Sequence, residues 1–149
     1  MGLTKSTIKN NEGNDFQVMN KSRAKKKEKN KIDPELATKI LRTVTPNDAF
    51  YFFTSIGQYS GIYANNLLSF CNKLETVDKK SVDFHFDRGD FERWIRGAIG
   101  DVFLANNVHK IKQTLQDEEL GVKLCQIIKA RIRELKEVLA SEEITIKHI

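Results

Sequence analysis

Residues 49–56, Ala49-Phe50-Tyr51-Phe52-Phe53-Thr54-Ser55-Ile56, are the most apolar stretch of the chain, and their conformation decides the fold class. Four consecutive aromatic residues are compatible with a buried strand or with a buried helix. The preceding residues 45–48, Thr-Pro-Asn-Asp, form a turn sequence that also suits the start of a helix. Helical patterns are predicted on both sides, so we expect residues 49–56 to form a short buried helix.

The segments that flank this stretch have the apolar spacing of amphipathic helices. Upstream, Asp33-Pro34 is a helix start signal, and the helix is predicted to end near Thr43. Downstream, after a break at Gly57 and Gly61, Ser60 is a predicted helix cap. The next apolar residues recur at spacings of four, three and four, at Tyr63, Leu67, Phe70 and Leu74.

The second half of the chain contains four further helical patterns. Residues 82–86 alternate in a way that also suits a strand, and we interpret them as part of a short helical segment. Asp90 and Asp101 are predicted helix caps. The longest apolar stripe is predicted to form a C-terminal helix, and its members are Leu120, Leu124, Ile127, Ile128, Ile132, Leu135, Val138 and Leu139.

These patterns predict an all-α fold, a compact bundle of about six helices in a single domain over residues 33–149. No apolar run reaches the ~18 residues of a membrane span. Two cysteines among 149 residues exclude a disulfide framework and a four-thiolate zinc site. Cys71 and Cys125 fall on apolar helix faces and are interpreted as core residues.

The positive charge of the chain is concentrated at its N-terminus. Residues 1–32 contain nine Lys/Arg and three acidic residues, a net charge of +6, whereas residues 33–149 have a net charge of −1. Because this segment is polar and lacks periodicity, we predict a disordered basic tail. Its densest run is a predicted nucleic-acid contact, through Lys21, Arg23, Lys25, Lys26, Lys27, Lys29 and Lys31. The alternative is a tail that only keeps the protein in solution. No secretory signal pattern is present, so we expect a cytoplasmic protein.

The candidate ligand or partner site is the polar cluster between residues 83 and 101. Its chosen members are His85, Arg88, Asp90, Trp94 and Arg96. His85 and Asp90 could transfer protons while the arginines hold an anion. The alternative is structural: Asp90 and Asp101 cap helices, the arginines pair with them, and Trp94 lies in the core. No catalytic residue, metal site or cofactor is predicted, because no established motif is present.

Part of this cluster carries a resemblance to a known family. Phe84-His85-Phe86-Asp87-Arg88-Gly89-Asp90-Phe91-Glu92-Arg93-Trp94-Ile95-Arg96, followed by Ile99-Gly100-Asp101 and Leu104-Ala105, resembles the mainly archaeal domain-of-unknown-function family number fifty-seven fifty-two. The likeness covers roughly residues 34–115. It implies a small helical domain in a prokaryotic cytoplasm, assigns no activity, and makes His85, Arg88, Asp90 and Trp94 the best candidates for a shared site.

Three functions are compatible with these observations. The first is a non-enzymatic helical interaction module, in which the domain binds a protein partner or a second copy through residues 120–139 and the basic tail contacts nucleic acid. The second is a small-ligand-binding or enzymatic domain that uses His85, Arg88 and Asp90. The third is a structural homo-oligomer, in which residues 120–139 of two copies form the interface. Because catalytic motifs are missing and the charge is split between tail and domain, we favour the first hypothesis.

Overall fold

The structure is a computed structural model that describes residues 32–111 and 119–147. The predicted tail therefore lies outside the described residues, apart from Ile32. The described residues from Pro34 onward belong to one compact unit. In chain order the elements are α1 (Pro34–Leu41), a 3-10 turn (Pro46–Asp48), β1 (Phe50–Ser55), β2 (Gln58–Ala64), α2 (Leu67–Leu74), α3 (Lys79–Arg88), α4 (Asp90–Trp94), a π-helical turn (Ile95–Ile99), α5 (Val102–Ile111) and α6 (Leu120–Lys147).

The all-α prediction is wrong, because the aromatic stretch forms a strand instead of a helix. β1 and β2 pair as an antiparallel hairpin in which Phe50 lies opposite Ala64 and Phe52 lies opposite Ile62. Phe50 and Phe52 are buried and the intervening Tyr51 is exposed. This alternation is typical of a strand with one buried and one solvent-exposed face. Gly57 has a φ of +78° in the turn, a conformation that glycine adopts without strain.

The inner face of the hairpin forms the aromatic part of the core. The ring of Phe50 lies 4.8 Å from that of Phe52, 5.4 Å from that of Phe70 and 5.6 Å from that of Trp94, all in edge-to-face geometry. Phe91 joins the cluster at 5.2 Å from both Phe50 and Phe70. Helices α2 and α4 thus supply partners for the strand, and burial of these rings holds the hairpin against the helices.

Helix α6 provides the aliphatic part of the core. The predicted stripe is correct in its inner members, since Leu120, Leu124, Ile128, Ile132 and Leu135 are buried. This face packs against α1, α2 and α5 of the same chain. In the part of the chain that the structure describes, no helix has both the length and the apolar character needed to cross a membrane.

A buried ion pair joins α6 to the start of α5. Arg131 donates to both carboxylate oxygens of Asp101, at 2.7 and 3.0 Å. Asp101 also accepts the backbone N–H of Leu104 at 3.1 Å, so the predicted cap is confirmed. The guanidinium group of Arg131 stacks 4.7 Å from the centre of the Phe103 ring. One carboxylate therefore caps a helix and pairs with a residue 30 positions away.

Candidate functional site

The helical junction between α3 and α4 brings three of the sequence candidates together. Gly89 connects the two helices with a φ of +75°, so the chain turns sharply between His85 and Asp90. His85 Nδ1 lies 2.8 Å from Asp90 Oδ2, and Arg88 Nε donates to the same oxygen at 3.0 Å. Arg93, which the sequence analysis did not select, donates to the other carboxylate oxygen of Asp90. The acidic group therefore has three partners.

The other ring nitrogen of His85 is bonded to strand β1. The backbone N–H of Phe53 donates to His85 Nε2 at 2.8 Å. Because Nε2 accepts, the neutral ring has its proton on Nδ1 and donates it to Asp90. Ser81, one helical turn before His85, donates its hydroxyl to the Phe53 carbonyl oxygen at 2.7 Å. Two side chains of α3 thus satisfy both backbone groups of Phe53, at the point where the strand register is irregular.

Burial keeps His85 neutral. Burial lowers the pKa of His85 below its ordinary value of 6.5, and this effect outweighs the hydrogen bond that His85 donates to Asp90, which acts in the opposite direction. The pKa of Asp90 is also lowered from 3.8: burial raises it, and the hydrogen bonds from His85 and Arg88 more than compensate. With both ring nitrogens bonded within the protein, His85 is positioned as a structural link between β1, α3 and α4.

The remaining two candidates lie apart from this cluster. Trp94 is buried, and its Nε1 donates to the Asp48 carbonyl oxygen at 2.7 Å. Its ring packs 5.1 Å from that of Phe70. Arg96 donates to Asn106 Oδ1 at 2.9 Å on the exposed side of α5. The five predicted residues therefore do not form one site: His85, Arg88 and Asp90 meet, while Trp94 and Arg96 have other partners.

A surface of exposed tyrosines was missed by the sequence analysis. Tyr51, Tyr59 and Tyr63 lie on the outer face of the hairpin with exposed fractions of 37%, 46% and 48%. The ring of Tyr51 lies 5.8 Å from those of both Tyr59 and Tyr63. We call these three residues the tyrosine face. The signal was present in the sequence, since Ile56-Gly57 separates two aromatic segments at the spacing of a β-hairpin.

A cleft joins the tyrosine face to the His85 cluster. It has a volume of about 490 Å³ and lies between the hairpin turn and α3, and its lining includes Tyr51, Ile56, Phe84 and Arg88. Arg88 is half-exposed here, with its guanidinium group 5.2 Å from the centre of the Phe84 ring. A second, smaller cleft places Lys73 beside Tyr63, next to strand β2. Basic side chains thus flank the tyrosine face at two clefts.

Within residues 32–111 and 119–147, no three metal-ligating side chains gather in one place. Comparison of the chain with protein-family models, with curated proteins and with solved structures gives no match. The resemblance drawn from residues 84–105 therefore stays a prediction.

Proposed function

We propose that the protein is a non-enzymatic interaction module that binds single-stranded nucleic acid. In this proposal the basic tail attracts the phosphate groups and the tyrosine face stacks on unpaired bases. The observation that carries it is the tyrosine face itself: three neighbouring, solvent-facing rings on a hairpin without a single charged residue between Phe50 and Ala64. Exposed aromatic rings beside basic groups are the common means by which proteins hold unpaired bases.

The geometry of the hairpin suits stacking. Tyr51 and Tyr63 are cross-strand partners whose rings stack at an interplanar angle of 27°. Tyr51 also donates its hydroxyl to the Pro46 carbonyl oxygen at 2.7 Å, which holds the central ring in place. Each base stacked on such a ring is worth about 1–3 kcal/mol. Little side-chain freedom has to be lost on binding, because the rings are already ordered by the strand pair.

Charge complementarity supports the same partner. The tail has the predicted net charge of +6, and Lys73 and Arg88 lie beside the clefts that adjoin Tyr63 and Tyr51. An uncharged aromatic surface between basic groups matches a strand whose bases are apolar and whose backbone is anionic. A duplex offers its phosphates to the tail but no free base to the tyrosines, so the proposal predicts a preference for single strands.

The two other functions have less support from the contacts. An acid–base role for His85 requires a ring nitrogen that is free for a substrate, and both are bonded to Phe53 and Asp90. A homo-oligomer through residues 120–139 requires an uncovered apolar face, and the inner face of α6 is covered by helices of the same chain. We further propose that the protein is cytoplasmic and that it belongs to the family named above.

Fluorescence anisotropy with labelled single-stranded and duplex oligonucleotides tests the proposal. The variant Tyr59→Ala/Tyr63→Ala is expected to bind single strands at least tenfold more weakly than the wild type, because two stacked bases lose their platforms. The control Tyr59→Phe/Tyr63→Phe keeps both rings and is expected to bind within about twofold of the wild type. If the alanine and phenylalanine variants bind equally well, the tyrosine face does not hold bases.

The contribution of the tail is measured separately by its salt dependence. Replacing the seven Lys/Arg residues of residues 21–31 by Gln is expected to weaken binding to single strands and to duplexes alike. It should also reduce the slope of log K against log salt by up to about 5, since each phosphate contact to a single strand contributes about 0.7. If the full chain binds neither kind of oligonucleotide at low salt, the proposed function is refuted.

A further inference from the structure

The two cysteines of the chain meet where helix α2 packs against helix α6. Cys125 Sγ lies 3.4 Å from the carbonyl oxygen of Cys71, and Cys71 Sγ lies 3.9 Å from the carbonyl oxygen of Cys125. The two thiols are reduced and both are buried, although 54 positions separate them in the chain. Each side chain thus already extends across the interface between the helices to the other.

A cavity gives small molecules access to one of the two thiols. It has a volume of about 510 Å³, and its walls include Leu74, Val82, Val122 and Cys125. Its charged lining residues are Lys79 and the pair of Glu75 and Lys129, whose side chains lie 3.2 Å apart. Cys71 does not line the cavity and has no exposed surface. The two cysteines are therefore unequal in access, with Cys125 at the wall and Cys71 in the core.

The two thiols are also unequal in acidity. The proximity of Cys71 lowers the pKa of Cys125, and the proximity of Cys125 together with burial raises the pKa of Cys71. The thiolate is the reactive form of cysteine. The cysteine with access to solvent molecules is thus also the one that ionises more readily.

We propose that Cys71 and Cys125 form a redox pair that closes to an intramolecular disulfide when a hydroperoxide enters the cavity. Cys125 is the attacking residue and Cys71 is the resolving residue. This role is independent of nucleic-acid binding, because neither cysteine belongs to the tyrosine face.

The reaction has two steps. The Cys125 thiolate attacks one oxygen of hydrogen peroxide, the O–O bond breaks, and the departing hydroxide takes up the proton that Cys125 released, which leaves a sulfenic acid and one water. The Cys71 sulfur then attacks the Cys125 sulfur, the S–O bond breaks, and the hydroxide leaves as a second water with the Cys71 proton. Together the two thiols lose two electrons and two protons, and the peroxide takes them up and becomes two waters.

The experiment exposes the full-length, reduced chain to hydrogen peroxide, unfolds it in denaturant with iodoacetamide, and measures the intact mass. The expected product is a monomer that has lost two hydrogen atoms and has no alkylated cysteine. Peptide mapping should show the Cys71–Cys125 bridge, and thiol reductant should restore two alkylated cysteines. Unbridged thiols after treatment, or a bridge only between two chains, would overturn the proposal.

Two single variants test the order of the steps. In Cys71→Ala, dimedone is expected to trap a sulfenic acid at Cys125, because the resolving thiol is missing. In Cys125→Ala, Cys71 is expected to react with peroxide at least tenfold more slowly. Equal reactivity of the two variants would overturn the assigned roles. Circular dichroism shows whether each variant is folded. The mapping of the bridge uses the wild type and therefore does not depend on the folding of the variants.

Discussion

Replacing His85 by leucine tests whether this residue is a structural link or a catalytic group. Leucine has a similar volume and keeps apolar contact with Phe50 and Phe91, but it has no nitrogen to accept the Phe53 N–H or to bond Asp90. An unsatisfied backbone N–H costs about 1–3 kcal/mol. Asp90 keeps its bonds to Arg88 and Arg93, so the loss there adds about 1 kcal/mol. We expect His85→Leu to lower the free energy of unfolding by about 2–4 kcal/mol.

The pH dependence of stability distinguishes this explanation from a general loss of packing. The folded-state pKa of His85 lies below 6.5, so the unfolded chain binds more protons as the pH falls below that value. The stability of the wild type should therefore be complete above about pH 6.5 and decline below it, by at most about 1.4 kcal/mol per pH unit for this one group. His85→Leu should lack that part of the decline. The contribution of Asp90, whose folded-state pKa lies below 3.8, is lost only at lower pH.

Urea unfolding followed by circular dichroism, between pH 8 and pH 5, measures both effects. The matched control is His109→Leu, which removes a half-exposed histidine that pairs with Glu92 at 3.1 Å. This control should change the free energy of unfolding by less than about 0.5 kcal/mol. If the wild type and His85→Leu lose stability in parallel as the pH falls, the claim that His85 is buried in its neutral form is refuted. Unchanged stability of His85→Leu at pH 8 would refute its link to Phe53.

Two further predictions concern the buried ion pair and the hairpin turn. Arg131→Met leaves the Asp101 carboxylate, which is 1% exposed, without its cation and should cost about 3–5 kcal/mol in urea unfolding. The double variant Arg131→Met/Asp101→Asn should recover part of that loss. If Arg131→Met alone costs less than about 1 kcal/mol, the pairing is contradicted. Gly57→Ala should lower the free energy of unfolding by about 1 kcal/mol, because φ is +78° although the added methyl group meets no atom. The control is Gly97→Ala in the π-helical turn, where an added methyl group also meets no atom. This variant should leave the free energy of unfolding unchanged or raise it by up to about 1 kcal/mol. If both variants change the free energy of unfolding equally, backbone strain at Gly57 is not the cause.

The helices were predictable because their apolar residues repeat at helical spacing within a few residues. Leu67, Phe70 and Leu74 are buried on α2 as the pattern indicates, although the helix is capped by Asn66 and not by Ser60. The hairpin was mispredicted because tyrosine counts as apolar in the pattern. Phe50-Tyr51-Phe52-Phe53 then becomes a continuous apolar run and its alternation is hidden. Tyr51 is exposed in the structure, with its hydroxyl bonded to Pro46.

The contacts that could be predicted from the sequence are local. The His85–Asp90 contact spans five residues around one glycine, and the Asp101 cap reaches three residues along the chain, so backbone geometry near each residue is sufficient to predict them. Three contacts depend on the assembled fold: the Phe53 N–H donates to His85, Arg131 pairs with Asp101, and the two cysteines meet. They join residues that are 32, 30 and 54 positions apart in the chain. A residue type specifies which bonds a side chain can form, but a distant partner is selected only when burial of the apolar faces brings the elements together.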